Sequence, residues 1–312
     1  MKTPGMDQYK KREWLSISSL ASFSRCPRKY FYGSGCRLST PDPKAPLVFG
    51  EAIHAALPWI LKQDMKQAID AFDEIWEETI ADKKNCRERA LHILMDFQSH
   101  HVPGKSIYNL QDPPAERLPI PGVSPFEVPF AIDIGLPVPL VGRLDALGRH
   151  RDDGGIWGIE WKTSSEISDR FYNAFDRNTQ VAIYTLALQT MTGQEVRGVM
   201  VEALRKSVKT TETSLQPYYM SPTKIKDALE WAQWKGTELL EMEKLGHFPK
   251  NMSACTPYQE YGMPGYQCDF HHLCDVEDWR ELEDSFVVSQ NRKFDEGLRA
   301  MGRDIPVKKV EL

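Results

Sequence analysis

Apolar residues recur every three or four positions from about residue 49 to residue 101, which is the period of one buried helix face. Pro58 is expected to interrupt this helical block, because proline has no backbone N–H to donate. Ahead of the block, the serine-rich segment LSISSLASFSRCPRKYFY predicts a short amphipathic helix that Ser18 or Ser19 caps and that ends near Cys26. The first third of the chain is therefore predicted to be helical.

The pattern changes in the middle of the chain. Prolines and glycines are dense between residues 103 and 139, which predicts loops and edge strands rather than a central strand. From residue 140 to residue 163 the apolar period becomes two, and an Asp-Asp-Gly-Gly turn separates two apolar runs. This second segment is predicted to form a β-hairpin.

Further regular elements follow the hairpin. Residues 180–190 predict a helix, residues 196–204 a strand, and residues 223–245 a long helix that Gly246 ends. The two tryptophans in the middle of the long helix are expected to lie in the core. The order helix, β-hairpin, helix, strand, helix predicts the α/β class.

Composition indicates a soluble globular protein. The chain has 312 residues, of which 41% are hydrophobic and 27% charged, so it can form one large domain or two small ones. Its apolar runs are far shorter than the ~20 residues that span a bilayer, and its first residues contain no apolar leader segment. A cytoplasmic protein without membrane contact is expected.

The net charge of −5 does not indicate a nucleic-acid binder, but the charge is unevenly distributed. Residues 1–40 contain eight basic and two acidic residues, which leaves a net charge of −11 on the other 272. A polyanion could dock on this basic segment, and a solvated terminus is the alternative. Charge alone leaves both interpretations open.

The predicted hairpin can bring two carboxylates and an ammonium group together. Side chains alternate along a strand, so Glu160 and Lys162 share one face. Pairing of Asp145 with Glu160 needs a turn centred between Asp152 and Asp153, which is where the turn residues stand. Neighbouring carboxylates bind a hard divalent cation, and a lysine beside them can hold a water or a phosphate. A surface ion pair is the alternative, since Glu-x-Lys is also typical of one.

Six cysteines in a chain that is expected in the cytoplasm favour metal or cluster ligation over disulfides. Cys255, Cys268 and Cys274 lie close together in sequence, whereas Cys26 lies in the amino-terminal segment SRCPRKYF. The sequence thus offers four thiols in two places that a folded chain could bring together.

Several motifs stand in one order along residues 15–274. They are LSISSLASFSRCPRKYFY, FGEAIHAAL with His54, GRLD with Asp145, EWK with Glu160 and Lys162, a helix with Gln180 and Tyr184 four residues apart, and the carboxy-terminal cysteines. In this order they resemble the PD-(D/E)xK nucleases of the RecB-like group, which includes the AddB nuclease domain, the CRISPR-associated adaptation nucleases and many phage exonucleases.

The resemblance implies a restriction-endonuclease-like core, with a mixed central sheet flanked by helices, over residues 46–246. It also implies an iron–sulfur cap formed by the two ends of the chain. A basic segment at 1–45 would carry the first cluster cysteine, and residues 247–284 would form the cysteine region. A helix and a charged tail are expected at 285–312.

For the active site, the resemblance implies that Asp145 and Glu160 bind Mg²⁺ or Mn²⁺, with the Trp161 carbonyl as a further oxygen ligand and His54 completing the site. Lys162 would position the attacking water and offset the charge that develops on the phosphate. A divalent cation lowers the pKa of a bound water and polarises the phosphoryl oxygen, so no covalent nucleophile is needed.

Other residues have implied roles outside the metal site. Gln180 and Tyr184 would orient Lys162 or contact the DNA strand. Glu127 matches an acidic position that precedes the GRLD motif in many relatives, whereas Glu51 is expected to be an exposed acid in the first turns of a helix.

The cysteines resemble the four ligands of a 4Fe-4S cluster in these nucleases: Cys26, Cys255, Cys268 and Cys274. Relatives often have C-x2-C-x5-C at the carboxyl end. Here twelve residues separate Cys255 from Cys268, whereas the second spacing is kept. A structural zinc site with the same four thiolates is the alternative.

The residues that flank the first cysteine would lie near the DNA path. They are Arg25, Arg28, Lys29 and Tyr30. The tyrosine and its aromatic neighbours would either stack on single-stranded bases or pack beneath the cluster.

The function implied by the resemblance is metal-dependent hydrolysis of DNA, as an exonuclease on single strands or duplex ends, in recombination, repair or phage replication. The chain contains no Walker A pattern, so a helicase or recombination partner would be a separate protein. The rival from another class is a non-catalytic DNA-binding or assembly subunit that keeps the fold. A plain zinc protein is a third interpretation, which leaves the hairpin carboxylates unexplained.

Overall fold

The computed structural model describes residues 2–41, 44–102, 108–109, 124–152, 154–207, 209–255, 268–288 and 307–310. Its α-helices are α1 (Ile17–Arg25), α2 (Pro27–Tyr30), α3 (Ala45–Leu61), α4 (Met65–Ile75), α5 (Arg87–His100), α6 (Asp169–Asp176), α7 (Thr179–Thr192), α8 (Pro222–Leu245) and α9 (His271–Asp275). Its strands are β1 (Leu38–Ser39), β2 (Tyr108–Asn109), β3 (Phe126–Asp133), β4 (Leu140–His150), β5 (Ile156–Ser164), β6 (Val196–Lys206), β7 (Thr211–Tyr219), β8 (Val287–Val288) and β9 (Lys308–Lys309).

Six strands form a central mixed sheet in the order β7-β6-β5-β4-β3-β9, and the short β2 pairs with β4. Strands β3, β4 and β5 are antiparallel neighbours, whereas β5 and β6 are parallel and are connected through α6 and α7. A parallel pair needs such a helical crossover. This mixed sheet with flanking helices is the predicted α/β architecture and is consistent with a restriction-endonuclease-like core.

Helices cover both faces of the sheet. On one face, α1, α7 and α8 pack in a hydrophobic cluster that includes Leu20, Leu144 and Ile183. On the other face, α3, α4 and α5 pack in a cluster that includes Ile53 and Trp161. The amino-terminal segment thus contributes directly to the core rather than extending into solvent.

Caps set the ends of the helices as local chemistry requires. Helix α1 begins at a capping box in which the side chains of Ser16 and Ser19 each accept from the other's backbone N–H. The cap is therefore Ser16, and not the predicted Ser18 or Ser19. Helix α8 begins after Ser221 and ends at Gly246, whose φ of 64° is the left-handed conformation that glycine adopts at low cost.

Helix α3 runs through Pro58 without a break, so the predicted interruption is wrong. A proline inside a helix costs about 3 kcal/mol. The flanking residues Ile53, Leu57 and Ile60 are fully buried, and burial of each such side chain contributes about 1.5–3 kcal/mol. Tertiary burial therefore outweighs the local preference.

The strands at the two sides of the sheet differ from the prediction in different ways. Strand β3 has β4 on one side and β9 on the other, but β9 pairs only with Ile132 and Asp133. The rest of β3 therefore resembles the edge strand that the sequence predicts. Strand β7 is not predicted, although it pairs with β6 over nine positions.

Trp234 is 72% exposed, so its predicted place in the core is wrong.

Among the helices of the described ranges, none is long and apolar enough to cross a membrane.

Candidate active site

The β4–β5 hairpin sets the register of the site. The paired residues run from Arg149 with Ile156 to Ala146 with Ile159, and the next position in this register is Asp145 opposite Glu160. This is the register that the turn residues predict. At that position the Trp161 N–H donates to Asp145 Oδ2 at 2.7 Å, so the aspartate side chain is fixed by the backbone of β5.

Helix α3 brings His54 to the same place. Its Nδ1 lies 3.2 Å from Asp145 Oδ1, so the two oxygens of Asp145 have different partners. One turn before His54, a Cβ on Gly50 would lie 3.2 Å from Thr163 Oγ1. The glycine in the FGEAIH motif thus allows α3 to approach the end of β5 closely.

Glu160 and Lys162 lie on one face of β5 and form an ion pair between Oε1 and Nζ. The Glu160 side chain is 7% exposed, whereas that of Lys162 is 33% exposed. The pair therefore has a buried carboxylate whose ammonium partner still reaches solvent. A substrate that approaches from solvent would meet Lys162 first.

The two carboxylates differ in acidity. Burial, together with the nearby charge of Asp145, raises the pKa of Glu160 to about 7, although Lys162 opposes this. Burial also acts to raise the pKa of Asp145, but His54, Lys162 and the Trp161 N–H outweigh it, and the pKa of Asp145 is lowered. Asp145 is therefore ionised at neutral pH while Glu160 titrates near it.

The basic groups of the site are stabilised in their charged forms. Burial acts to lower the pKa of His54, but the Asp145 carboxylate outweighs burial and raises it. In the same way burial opposes the charge of Lys162, and Glu160 and Asp145 raise the pKa of Lys162 above its ordinary value. Two carboxylates, an imidazole and an ammonium group thus share one small region.

Helix α7 contributes the predicted glutamine and tyrosine. Gln180 Nε2 donates to Tyr184 Oη at 2.7 Å, as a spacing of four on one helix face permits. Burial, and next the charge of Glu160, raises the pKa of Tyr184 well above its ordinary value. The hydroxyl of Tyr184 is therefore neutral, and it lies close enough to Glu160 for the charge of that carboxylate to raise its pKa.

Glu127 lies at the start of β3 with a φ of 53°, and its carboxylate pairs with Arg143. Burial raises the pKa of Glu127, although Arg143 opposes this, and the charge of Asp145 adds to it. Glu127 thus lies near enough to Asp145 for the two charges to interact. Glu51 is exposed, as predicted for a helix acid without a role in the site.

A buried pair behind Trp161 was missed by sequence reasoning. The Trp161 indole N–H donates to Glu202 Oε2 at 3.2 Å, and His101 Nε2 lies 2.7 Å from Glu202 Oε1. Both side chains of the His101–Glu202 pair are 3% exposed. The only signal in the sequence is a single carboxylate inside the apolar run VMVEAL.

No group of three or more His, Cys, Asp or Glu side chains in the described ranges is arranged to hold a metal ion. At the hairpin, His54 is turned to Asp145 and Lys162 to Glu160, so the carboxylates contact protein partners rather than one common point. The backbone of Trp161 contacts the site through its N–H, from which Asp145 accepts a hydrogen bond.

The four predicted cluster cysteines come from both ends of the chain to one region. The Asn251 N–H points to Cys26 Sγ at 3.4 Å, and the Cys268 N–H donates to the carbonyl of Cys255 at 2.9 Å. Burial and the charges of Cys268 and Cys26 raise the pKa of Cys255. Burial, with Cys26 and Cys255 adding to it and Lys250 and Arg28 opposing, raises the pKa of Cys274 to about 11. Residues 256–267 of this region lie outside the described residues.

The predicted DNA-binding residues next to Cys26 separate into two pairs. Arg25 is exposed and Lys29 is half-buried. Arg28 is buried, and its Nε donates to the carbonyl of Phe248 at 2.7 Å. Tyr30 is fully buried and packs edge-to-face on Phe23 at 5.7 Å, so it lies beneath the surface rather than on it.

Comparisons with known proteins identify the family of the chain. The family model described as "PD-(D/E)XK nuclease superfamily" matches residues 14–275. A solved structure from Eubacterium rectale, described as "Putative exonuclease", has 13% sequence identity, covers 81% of this chain and 90% of its own, and has a TM-score of 0.50, which shows a shared fold. A second solved structure, SSO0001, has 15% identity and a TM-score of 0.36 over 85% of this chain and 87% of its own. No curated protein matches the sequence. Because the family model covers most of the chain, the protein belongs to the PD-(D/E)XK nuclease superfamily.

Proposed function

We propose that the protein is a metal-dependent DNA nuclease of the RecB-like group, with its active site at Asp145, Glu160 and Lys162. One observation carries the proposal: the hairpin register and helix α3 bring these three residues and His54 into one region. These are the residue types that the superfamily motif combines. The membership in a nuclease superfamily supports hydrolysis of a phosphodiester as the reaction.

The residues present fit a hard divalent cation. Two carboxylates, a backbone carbonyl and an imidazole are ligands that Mg²⁺ and Mn²⁺ accept. The pKa of Glu160 stays raised although Lys162 and His54 lie beside it, so the two buried carboxylates still repel each other, and a bound cation would offset that repulsion. We therefore assign Asp145 and Glu160 as ligands, with the Trp161 carbonyl and His54 completing the set. When bound, the cation supplies Lewis-acid polarisation of the phosphate and an acidified water.

The other groups of the site act directly on substrate and water. Lys162 is a point charge with three N–H donors and a path to solvent, so it can hold the attacking water and offset charge on the phosphate. It must first release Glu160, to which it is paired. Tyr184 has a neutral hydroxyl that accepts a hydrogen bond from Gln180. It can donate a hydrogen bond to Glu160, the partner of Lys162, or to the DNA strand. His54 keeps Asp145 oriented.

We propose that the two chain ends form a cap with a 4Fe-4S cluster on Cys26, Cys255, Cys268 and Cys274. The approach of the thiols from segments more than 200 residues apart supports this, because a cluster would fix both ends around the core. A zinc site with the same thiolates is the alternative. Visible absorbance of anaerobically purified protein distinguishes them, since a zinc site is colourless.

Exonuclease action on single strands or duplex ends is the form that we propose, with Arg25 and Lys29 on the strand path. Both are accessible beside the first cysteine. Arg28 and Tyr30 are not part of the proposed DNA-binding surface, because both are buried. Their contacts in the interior hold the cap against the core. Any helicase or recombination protein that supplies the strand would be a separate partner. The domain division that we propose is a core at 46–246, a cap from 1–45 and 247–284 whose helix α1 packs into the core cluster, and a tail at 285–312.

Digestion of end-labelled linear DNA and closed circular single-stranded DNA tests the proposal. Wild type with Mg²⁺ or Mn²⁺ is expected to degrade the linear DNA from one end and to leave circles intact, whereas Asp145→Ala and Lys162→Ala are inert. Cleavage of circles would replace exonuclease with endonuclease action. DNA binding by wild type without cleavage of any substrate would overturn the hydrolase and favour a non-catalytic DNA-binding subunit.

A further inference from the structure

The buried carboxylate of Glu202 stands directly behind the active site. Glu202 pairs with Trp161 in the parallel β5–β6 register, and Trp161 lies between Glu160 and Lys162 in the sequence. Both oxygens of Glu202 are engaged, one by the Trp161 indole N–H and the other by His101. The remaining residues of VMVEAL are apolar and buried, so this carboxylate is the exception in its strand segment.

Trp161 connects this pair to the catalytic groups. Its side chain is fully buried, with Phe97 edge-on at 6.2 Å and Phe126 stacked at 6.5 Å. Its ring also meets the His54 ring edge-on at 6.2 Å, and its backbone N–H holds Asp145 Oδ2 at 2.7 Å. One residue therefore contacts two of the proposed site residues and is covalently joined to the other two.

A polar pair in this position is costly for stability. A buried carboxylate and imidazole lose hydration that an apolar pair of similar shape would not lose. What the pair adds is a defined orientation of the indole ring. A hydrogen bond fixes the rotation of the ring about its side-chain bonds, whereas apolar contacts alone restrict that rotation less. The ring in turn fixes the peptide that holds Asp145.

We propose that Glu202 and His101 are positioning residues, which hold Trp161 and through it Asp145 and His54 in the arrangement that the metal requires. The inference rests on the proposed function of the hairpin site. It extends that function to a buried pair on the opposite side of β5 from Glu160 and Lys162. Partners behind metal ligands typically contribute 10–100-fold in metal affinity or activity.

The test compares two substitutions of Glu202 with a matched control. Glu202→Leu removes both hydrogen bonds, whereas Glu202→Gln keeps the shape and an acceptor for the indole. Thr213→Val is the control for that side of the sheet: Thr213 lines the same cavity as His101 and Glu202 and is 9% exposed, but it donates to Asp96 at 2.7 Å rather than bonding to Trp161. Each variant is first checked for cooperative unfolding.

Two readouts are measured, Mn²⁺ binding by calorimetry and hydrogen exchange of Trp161. The exchange is followed by NMR at its indole N–H, identified by its absence in Trp161→Phe, and at its backbone N–H, identified by sequential backbone assignment. Glu202→Leu is expected to weaken Mn²⁺ binding at least about 10-fold and to lose protection at both positions. Glu202→Gln is expected to retain most of the protection and to bind Mn²⁺ within about threefold of wild type, and Thr213→Val within about twofold.

The proposal is overturned if folded Glu202→Leu keeps wild-type Mn²⁺ affinity and protection of Trp161, or if Thr213→Val loses as much as Glu202→Leu. Should wild type bind no Mn²⁺, the proposed function fails. The exchange data still decide the positioning in that case: protection of Trp161 lost only in Glu202→Leu supports it, and unchanged protection overturns it.

Discussion

Replacing Glu160 with glutamine is expected to stabilise the metal-free protein while it abolishes catalysis. Glu160 is 5% exposed, and the charge of Asp145 adds to the cost of its burial. Lys162 compensates only in part, because the pKa of Glu160 remains raised to about 7. Glutamine resembles the protonated acid in shape and can still accept from Lys162, so Glu160→Gln removes the unfavourable charge and little else.

The magnitude follows from the pKa. The ordinary value for this carboxyl is 4.5, so the folded protein holds the proton of Glu160 more tightly than the unfolded chain does. Each unit corresponds to about 1.4 kcal/mol, which gives about 3 kcal/mol of destabilisation by the ionised group. With an unfolding entropy of about 2.1 cal/mol/K per residue, this corresponds to about 5 °C in Tm for a chain of this length.

The effect has a defined pH window. Below pH 4.5 Glu160 is protonated in both the folded and the unfolded state, so wild type and Glu160→Gln should have equal stability. From pH 4.5 to about 7 the unfolded chain ionises first, and wild type loses stability as the pH rises. Above about 7 both states are ionised, and the difference reaches its full value.

Thermal unfolding at pH 4.5 and pH 8 without added divalent cations measures the difference. Glu212→Gln is the control, because Glu212 is exposed and its pair with Arg205 should contribute little. Excess Mg²⁺ should raise the Tm of wild type and close the gap to Glu160→Gln, which has lost a ligand. A Glu160→Gln protein that is less stable than wild type at pH 8, or a difference that does not depend on pH, would contradict the raised pKa of Glu160.

Three other substitutions have definite expected outcomes. Cys26→Ala should lose visible absorbance and unfold at lower temperature, whereas Cys86→Ala should retain the absorbance; equal spectra would contradict the cluster assignment. Arg25→Glu should weaken binding of single-stranded DNA and lower the salt slope of log K by about 1, measured by fluorescence anisotropy at several salt concentrations. Gly198→Ala should lose at least about 2 kcal/mol of stability in a thermal melt, because its Cβ would lie 1.9 Å from the Tyr218 carbonyl oxygen; unchanged stability would contradict the β6–β7 packing.

Local signals in the sequence predict the elements that local chemistry controls. The turn residues around Asp152 define the hairpin register that sets Asp145 opposite Glu160. The end of α8 follows from Gly246, since a left-handed residue stops a helix. These features depend on contacts within a few residues of the chain, so the sequence pattern is sufficient to find them.

Features that depend on distant contacts could not be read in the same way. Pro58 remains inside α3 because of the core that surrounds the helix, which no local window contains. Strand β7 has weak alternation and is fixed by its pairing with β6. The contact of Glu202 with Trp161 needs the parallel β5–β6 register, which is set by a crossover of two helices. From residue type alone, Glu202 is a carboxylate in an apolar strand and is expected to have a partner. The sequence does not indicate that this partner is Trp161.

Single-turnover cleavage of linear DNA by Glu160→Gln beside wild type, at saturating Mg²⁺, tests whether this hairpin is the active site. DNA binding and Tm are measured on the same samples, so that a folding defect is recognised. We expect a variant that is folded, at least as stable in the absence of metal and still bound to DNA, but at least about 100-fold slower in cleavage. A cleavage rate within threefold of wild type would contradict the assignment of this hairpin as the active site.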